Sequence, residues 1–338
     1  MKIFGKDLET DLVVIAEIGV NHEGDPEKAI ELLRQAASAG ADAVKFQSYT
    51  PERYVAAIDP ERLARVARFS LDEATHRCLA DEAKKLGVSF LSTPVSEDWL
   101  PLLSELGAAI KIASGDLDFK PVIVGAAKTG KPVILSVGLG TVEEIDRAVG
   151  WVRDEVGQDA LQDRLILMHC VSAYPVPIEQ ANVANIEFLR DRYGLTVGYS
   201  NHVVGADACL TAVAIGAPIL EIHFTDVKEG RAFRDHALSM DSKDLSGVIA
   251  QAKRIRSALG VMGSLRQECE IPNLSAMRKG IVAARPLGAG VTLTEQDIMF
   301  ARPMVGFSSL DIDRVVGQKI SVNIEKGMPL LPDHLSVS

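Results

Sequence analysis

The chain has 338 residues, 47% hydrophobic and 24% charged, with a formal charge of −10. That length holds one barrel of about 250 residues plus a small domain. The acidic balance, with no basic face, excludes a nucleic-acid binder. The four cysteines, Cys78, Cys170, Cys209 and Cys269, form no CxxC pair and no metal-ligand spacing, so they read as free thiols in a reducing compartment. Met1 to Lys6 runs straight into charge without a signal-peptide core, which points to the cytoplasm. The longest apolar stretch, 208–222, is broken by Thr211, Gly216 and Pro218, so no membrane span is expected.

The first predicted strand covers 12–18 and carries Glu17 near its end. A helix starts at Pro26, a favoured first-turn position after Asp25, and stops at Gly40. The second strand, 41–47, puts Lys45 and Gln47 on one face. The cadence of helix, glycine and apolar run then repeats. Gly87 leads into 88–92, Gly107 into 109–113, Gly130 into 132–137, Gly194 into 195–199 and Gly216 into 218–224, while Arg164 opens 165–170. The runs end on polar residues, among them Glu17, Gln47, Thr93, Lys111, Ser136, His169, Ser200 and His223. Eight strands alternating with helices predict a closed (β/α)8 TIM barrel of α/β class, with its active site where the strands finish. No glycine-rich dinucleotide fingerprint follows the first strand, which counts against an open doubly wound sheet.

A last amphipathic helix is expected over 244–259. Residues 263–279 lack periodicity and read as a linker, and 280–338 alternate short β-type runs with turns. The expected division is therefore 1–262, 263–279 and 280–338.

Several residues at the expected mouth carry chemistry. Glu17 shares a face with Val13 and Ile15, which places a carboxylate at the mouth if that face lines the barrel. Lys45 and Lys111, with the turn Ala113-Ser114-Gly115, suit a phosphate or carboxylate. The same lysine pair also fits a Schiff-base enzyme, or a pair of structural ion pairs. His202 follows strand seven, and Glu221 and His223 share a face of strand eight, so both imidazoles can reach one divalent transition metal, unless they are unrelated core histidines. Asp235 and His236 lie in Arg231-Ala232-Phe233-Arg234-Asp235-His236, which reads as a polar loop able to face a substrate.

Taken together, Ala16-Glu17-Ile18-Gly19-Val20-Asn21-His22, Val44-Lys45-Phe46-Gln47, Leu91-Ser92-Thr93-Pro94, Lys111-Ile112-Ala113-Ser114-Gly115-Asp116 and Ile222-His223-Phe224-Thr225 resemble, in order and spacing, the N-acetylneuraminate (sialic acid) synthase family. The C-terminal unit resembles the antifreeze-like (SAF) domain of those synthases. The resemblance implies condensation of phosphoenolpyruvate with an open-chain 2-acetamido sugar such as N-acetylmannosamine, releasing phosphate. It implies a divalent metal, Mn2+ or Mg2+, on His202 and His223, and a domain-swapped homodimer. Phosphoenolpyruvate positions correspond to Lys45, Thr93, Lys111, Ser114, Ser136, Tyr174 and Ser200. Glu17, Gln47, Glu221 and Asp235 correspond to positions near the sugar or the reacting carbons, and Arg302 to an arginine that reaches the partner's sugar.

The chain departs from the family pattern at Asn201 in Ser200-Asn201-His202, at Ile222 between Glu221 and His223, at Ser172 before Ala173-Tyr174-Pro175, at Asp116, and in Arg302-Pro303-Met304-Val305-Gly306. Ser172 and Asp116 are counted with the substrate-binding positions. These departures are expected to fall mostly on the sugar side. They leave open N-acetylmannosamine, a diacetamido sugar of the legionaminic or pseudaminic type, and a hexose without an acetamido group. Another phosphoenolpyruvate–aldose synthase and a non-catalytic sugar-acid binder stand as alternatives.

Overall fold

The computed structural model, which describes residues 1–231 and 233–336, turns each of the eight apolar runs into a strand. We number them β1 (Val13–Gly19), β2 (Ala43–Ser48), β3 (Ser89–Pro94), β4 (Ile110–Ile112), β5 (Val133–Ser136), β6 (Leu165–His169), β7 (Thr196–Asn201) and β8 (Ile219–His223). The hydrogen-bonded order is β3-β2-β1-β8-β7-β6-β5-β4, all parallel, so the first and last strands are joined side by side. At the remaining seam, Ala108 N–H donates to Phe90 O across 3.3 Å, which brings β3 beside β4 and nearly closes the barrel.

Two apolar layers follow from period-two alternation. Val13, Ile15, Ala43, Leu91, Ala109, Ile134, Ile166, Met168 and Ile219 fill the barrel. Ile3 and Leu8, from the short hairpin Lys2–Ile3 and Lys6–Asp7, join them and plug the N-terminal end. Between them, Val14, Ala16, Ile18, Val44, Phe46 and their equivalents face outward against the helices. Gly198 is a fitted gap in the inner layer. A Cβ there would lie 2.5 Å from Met168 Sδ and 2.8 Å from Ile219 O.

Capping explains where the helices begin. The Asp25 side chain accepts from Glu27 N and Lys28 N to start α1 (Pro26–Ser38). Asp72 accepts from Thr75 N to start α2 (Glu73–Leu86), which Gly87 ends in the left-handed region. Asp241 accepts from Asp244 N, so the closing helix α3 spans Ser242–Leu259 and begins two residues before the expected 244. Among the described residues no helix is long and apolar enough to cross a membrane.

The chain divides into two units, Met1–Gly260 and Val261–Ser338. In the second, residues read as a linker carry helical turns, Glu268–Asn273 and Leu274–Met277. An antiparallel pair, Gly280–Ala283 with Ile298–Ala301, and several single bridges surround a core of Ile281, Leu287, Leu293, Phe307, Val315 and Leu330.

Gly198→Ala is expected to destabilise the barrel by about 1–3 kcal/mol, because the new methyl overpacks the inner layer against backbone. Urea unfolding checks this, and wild-type stability would mean that Met168 moves aside freely.

Candidate active site

The inner face becomes polar only at the C-terminal ends of the strands. Glu17 stands in register with His223 on one side and Lys45 on the other. Lys45 Nζ lies 2.8 Å from Glu17 Oε2 and 3.5 Å from Glu221 Oε1, and donates to Thr93 Oγ1 at 3.3 Å. Lys111 Nζ donates to Ser136 Oγ at 2.6 Å and to Ile112 O at 2.9 Å, with Glu221 Oε1 4.0 Å away. Glu221 Oε1 also accepts from Ser200 Oγ at 2.9 Å. Seven strands, all but β6, thus contribute to one buried network. Gln47 lies next to it on β2, and Gly19 has no side chain because a Cβ would sit 3.1 Å from Glu17 Oε1.

Burial sets the charge states. It pushes Glu17 up to about 7, with Glu221 adding to the rise while Lys45 and Lys111 oppose it. Glu221 is also pushed up by burial, but Lys111, Lys45 and the Ser200 hydroxyl together carry it down to about 2. Lys45 is lowered by burial but raised further by Glu17 and Glu221, so its net shift is upward. Lys111 is lowered, chiefly by burial. The resting site therefore holds the Lys45 ammonium, a Lys111 amine whose hold on its proton burial weakens, one firm carboxylate and one carboxylate poised to exchange a proton.

His202 and His223 meet beside this network, their ring centroids 5.2 Å apart. Burial lowers both pKa values, and His202 adds to the lowering at His223, so both rings are neutral. His202 Nδ1 donates to Val171 O at 2.6 Å, which leaves Nε2 with its lone pair. His223 Nδ1 is buried with no hydrogen-bond partner among the described residues. Two neutral imidazoles fit a divalent transition ion better than Mg2+, which prefers oxygen. Among the described residues no group of three or more His, Cys, Asp or Glu converges, so other ligands would come from water or substrate.

The remaining candidates ring the mouth. Tyr174 packs on His202, centroids 4.2 Å apart, and the Arg234 guanidinium lies 4.7 Å from the Tyr174 ring centre. Ser114 and Ser172 hydroxyls are 2.7 Å apart. Asp116, in the turn Ser114–Asp116, is pushed up to about 6 by burial and by Asp118. Asp235 and His236, expected in a polar loop able to face a substrate, are buried at the start of the short helix Asp235–Leu238. The reason is local. His236 Nδ1 bonds Thr225 Oγ1 at 2.7 Å, and its Nε2 faces Glu23 Oε1 at 3.3 Å. Ala232 of that run lies outside the described residues.

Two sequence readings are revised, and one residue was missed. His169, expected among the mouth residues, turns outward and bonds Ala181 O at 2.9 Å, because Met168 takes the inner position. Ile222 belongs to the outward apolar layer, so that departure does not reach the sugar side. Arg234 was missed, although it directly precedes Asp235, because a charged loop residue carries no periodic signal. Arg302 belongs to the second unit, where its Nε donates to Met277 O at 2.5 Å.

A (β/α)8 barrel whose mouth pairs buried lysines with carboxylates beside two neutral imidazoles gathers, where its strands finish, the perturbed ionisable groups that mark an enzyme's active site. The family whose model describes NeuB proteins matches residues 32–263, and a SAF domain model matches 278–336. The chain belongs to the NeuB family of sialic-acid-type synthases and carries a SAF domain. It is similar to the N,N'-diacetyllegionaminic acid synthase of Legionella pneumophila, at 31% identity over 95% of this chain and 94% of that one. It is also similar to the N-acetylneuraminate-9-phosphate synthase of Drosophila melanogaster, at 30% identity over 98% of each. Among solved structures, the N-acetylneuraminic acid synthetase of Leptospira borgpetersenii matches with a TM-score of 0.73 and 32% identity, over 78% of this chain and 90% of that one.

The raised Glu17 gives a pH test. A carboxyl whose folded pKa lies near 7 instead of 4.5 holds its proton more tightly folded than unfolded, so stability falls as pH rises through that window. In metal-free buffer, the stability of Glu17→Gln relative to wild type should rise between pH 5 and pH 8 by up to about 3 kcal/mol. Urea unfolding at each pH measures the difference. A difference that does not change with pH would mean that Glu17 titrates as an ordinary carboxylate.

Proposed function

We propose that this chain condenses phosphoenolpyruvate with the open-chain form of a 2-acetamido sugar such as N-acetylmannosamine, giving a nine-carbon 2-keto sugar acid and phosphate. The observation that carries the reading is the buried Lys45–Lys111–Glu17–Glu221 network beside His202 and His223 in a NeuB chain. Phosphoenolpyruvate brings a carboxylate and a phosphate into an acidic protein. Lys45 and Lys111 neutralise them, with Ser114, Ser136, Ser172 and Thr93 donating hydrogen bonds. Asp116, half-buried in the turn after Ser114, sits at the edge of this group. Tyr174 belongs with the residues at phosphoenolpyruvate, and Gln47 and Asp235 orient the acceptor.

The enol carbon of phosphoenolpyruvate attacks the aldehyde carbon, positive charge develops at C2, and water adds there. The tetrahedral intermediate then loses phosphate by C–O cleavage. Glu17, poised near neutrality, moves the proton in this sequence, while Glu221 stays ionised and holds Lys45, Lys111 and Ser200 in place. His202 and His223 would hold a divalent ion, Mn2+ in preference to Mg2+, which supplies Lewis-acid polarisation of the aldehyde oxygen when bound. The chain acts as a domain-swapped homodimer, with Arg302 of one copy serving the sugar at its partner's barrel. The reaction takes place in the cytoplasm, where phosphoenolpyruvate is made.

One observation favours a second chemistry. Burial lowers the Lys111 pKa, as a Schiff-base lysine requires. Its amine is nevertheless held by Ser136 and Ile112 O, so borohydride with a carbonyl substrate is expected to trap no adduct.

Phosphate release from phosphoenolpyruvate with Mn2+, across a panel of sugars and with product mass read in parallel, tests the reading. Release with an acetamido sugar and a nine-carbon acid is expected; release without any sugar, or none with any sugar, would overturn it. Lys111→Met is expected to lower the rate by about 10²-fold or more, and chelation to abolish it. Mixing Arg302→Ala with Glu17→Ala protein is expected to restore part of the activity. No recovery in demonstrated heterodimers would rule out sites built from two chains.

A further inference from the structure

We propose that His76, on α2 outside the barrel, is a positioning residue for the reaction, acting through Ser48 and Ser92 on the strand tips that present Gln47 and Thr93; the proposal rests on the synthase reading above. His76 is fully buried. Its Nε2 lies 2.7 Å from Ser48 Oγ, and Ser48 Oγ lies 2.6 Å from Ser92 Oγ. Both serines are also buried. The ring is seated between aromatic groups, 4.8 Å from Trp99 and 6.4 Å edge-on from Phe90, centroid to centroid.

The hydrogen positions in this chain of contacts follow from one carbonyl. His76 Nδ1 is 2.9 Å from Asp72 O, which can only accept, so Nδ1 carries the proton. Burial lowers the ring's pKa, against the Asp72 and Gln47 carbonyls, and keeps it neutral. Nε2 is then an acceptor, and Ser48 must donate to it. Ser48 Oγ in turn accepts from Ser92. Each hydroxyl therefore has one orientation, fixed from the first turn of α2, where Asp72 also caps the helix.

The location gives this chain its role. In register, Phe46 faces Ser92, Gln47 faces Thr93 and Ser48 faces Pro94. Ser48 and Ser92 point outward, and their neighbours Gln47 and Thr93 point into the mouth. The serine bridge ties the last residues of β2 and β3 at the level where Thr93 Oγ1 accepts from Lys45. A helix cap outside the barrel thus fixes the spacing of two mouth residues inside it. A histidine that only filled a core slot would need one partner for Nε2; here that partner, Ser48, is itself tied to Ser92 on the next strand.

The test uses the full-length protein with Mn2+, phosphoenolpyruvate and the acceptor sugar. Ser92→Ala leaves His76 and its contacts with α2, Ser48 and Trp99 intact and removes only the tie to β3. It is expected to lower kcat/KM for phosphoenolpyruvate about tenfold, with the sugar KM within about twofold, while Ser92→Thr restores the rate by supplying the hydroxyl. His76→Phe, which keeps an aromatic ring, should lower the same parameter at least as much. Wild-type kinetics in both Ser92→Ala and His76→Phe would overturn the proposal, as would losses that follow Tm alone and that Ser92→Thr does not relieve. A crystal structure of Ser92→Ala needs no turnover and separates this proposal from the synthase reading. The Lys45–Thr93 contact is expected to lengthen, and an unchanged contact would overturn the positioning role even if the wild type proves inactive.

Discussion

Two lysines are buried at the end of a nearly closed barrel, and much of the site follows from what that burial requires. Taking an ammonium out of water costs several kcal/mol unless opposite charge and hydrogen bonds compensate. Lys45 meets this with Glu17, Glu221 and Thr93, and Lys111 with Ser136, the Ile112 carbonyl and a more distant Glu221. Glu221 is shared by both lysines and stays ionised. Glu17 has one close cation and a like charge nearby, so burial prevails and its proton becomes mobile near neutrality. Two carboxylates in one network thus titrate far apart, because their surroundings differ.

Strand alternation separates chemistry from support. Inner positions carry Glu17, Lys45, Thr93, Lys111, Ser136, Ser200, Glu221 and His223. Outer positions beside them carry Ser48, Ser92, His169 and Ile222, which bond or pack against the surrounding helices and loops. Thr93 is thus flanked by Ser92, and Glu221 and His223 by Ile222, residues that bond or pack on the outer side of the same strand tips. This arrangement suits a site whose donors must not reorganise as charge develops.

The barrel was legible because a short apolar run recurs eight times, six of them led by a glycine at a helix end, and a parallel strand buried on both faces leaves that mark in sequence. Glu17, Lys45 and Lys111 were legible for the opposite reason, since a charge inside such a run has few other uses. The joining of β1 to β8, which brings His223 level with Glu17, is a property of closure and has no local signature. The pairing of Ser114 with Ser172 likewise crosses 58 residues of sequence. His169 was misread because its position in the alternation matters more than its polarity. His236 was misread because its partners, Glu23 and Thr225, come from loops after different strands.

The central claim is that the lysine pair and the imidazole pair act on one substrate complex. A crystal structure with Mn2+ and phosphoenolpyruvate, recorded with anomalous data, tests it most directly. The account predicts an anomalous peak between His202 and His223, and the phosphate and carboxylate of phosphoenolpyruvate within hydrogen-bond distance of Lys45, Lys111 and Ser136. Phosphoenolpyruvate bound away from both lysines, or an ion bound away from both histidines, would contradict it.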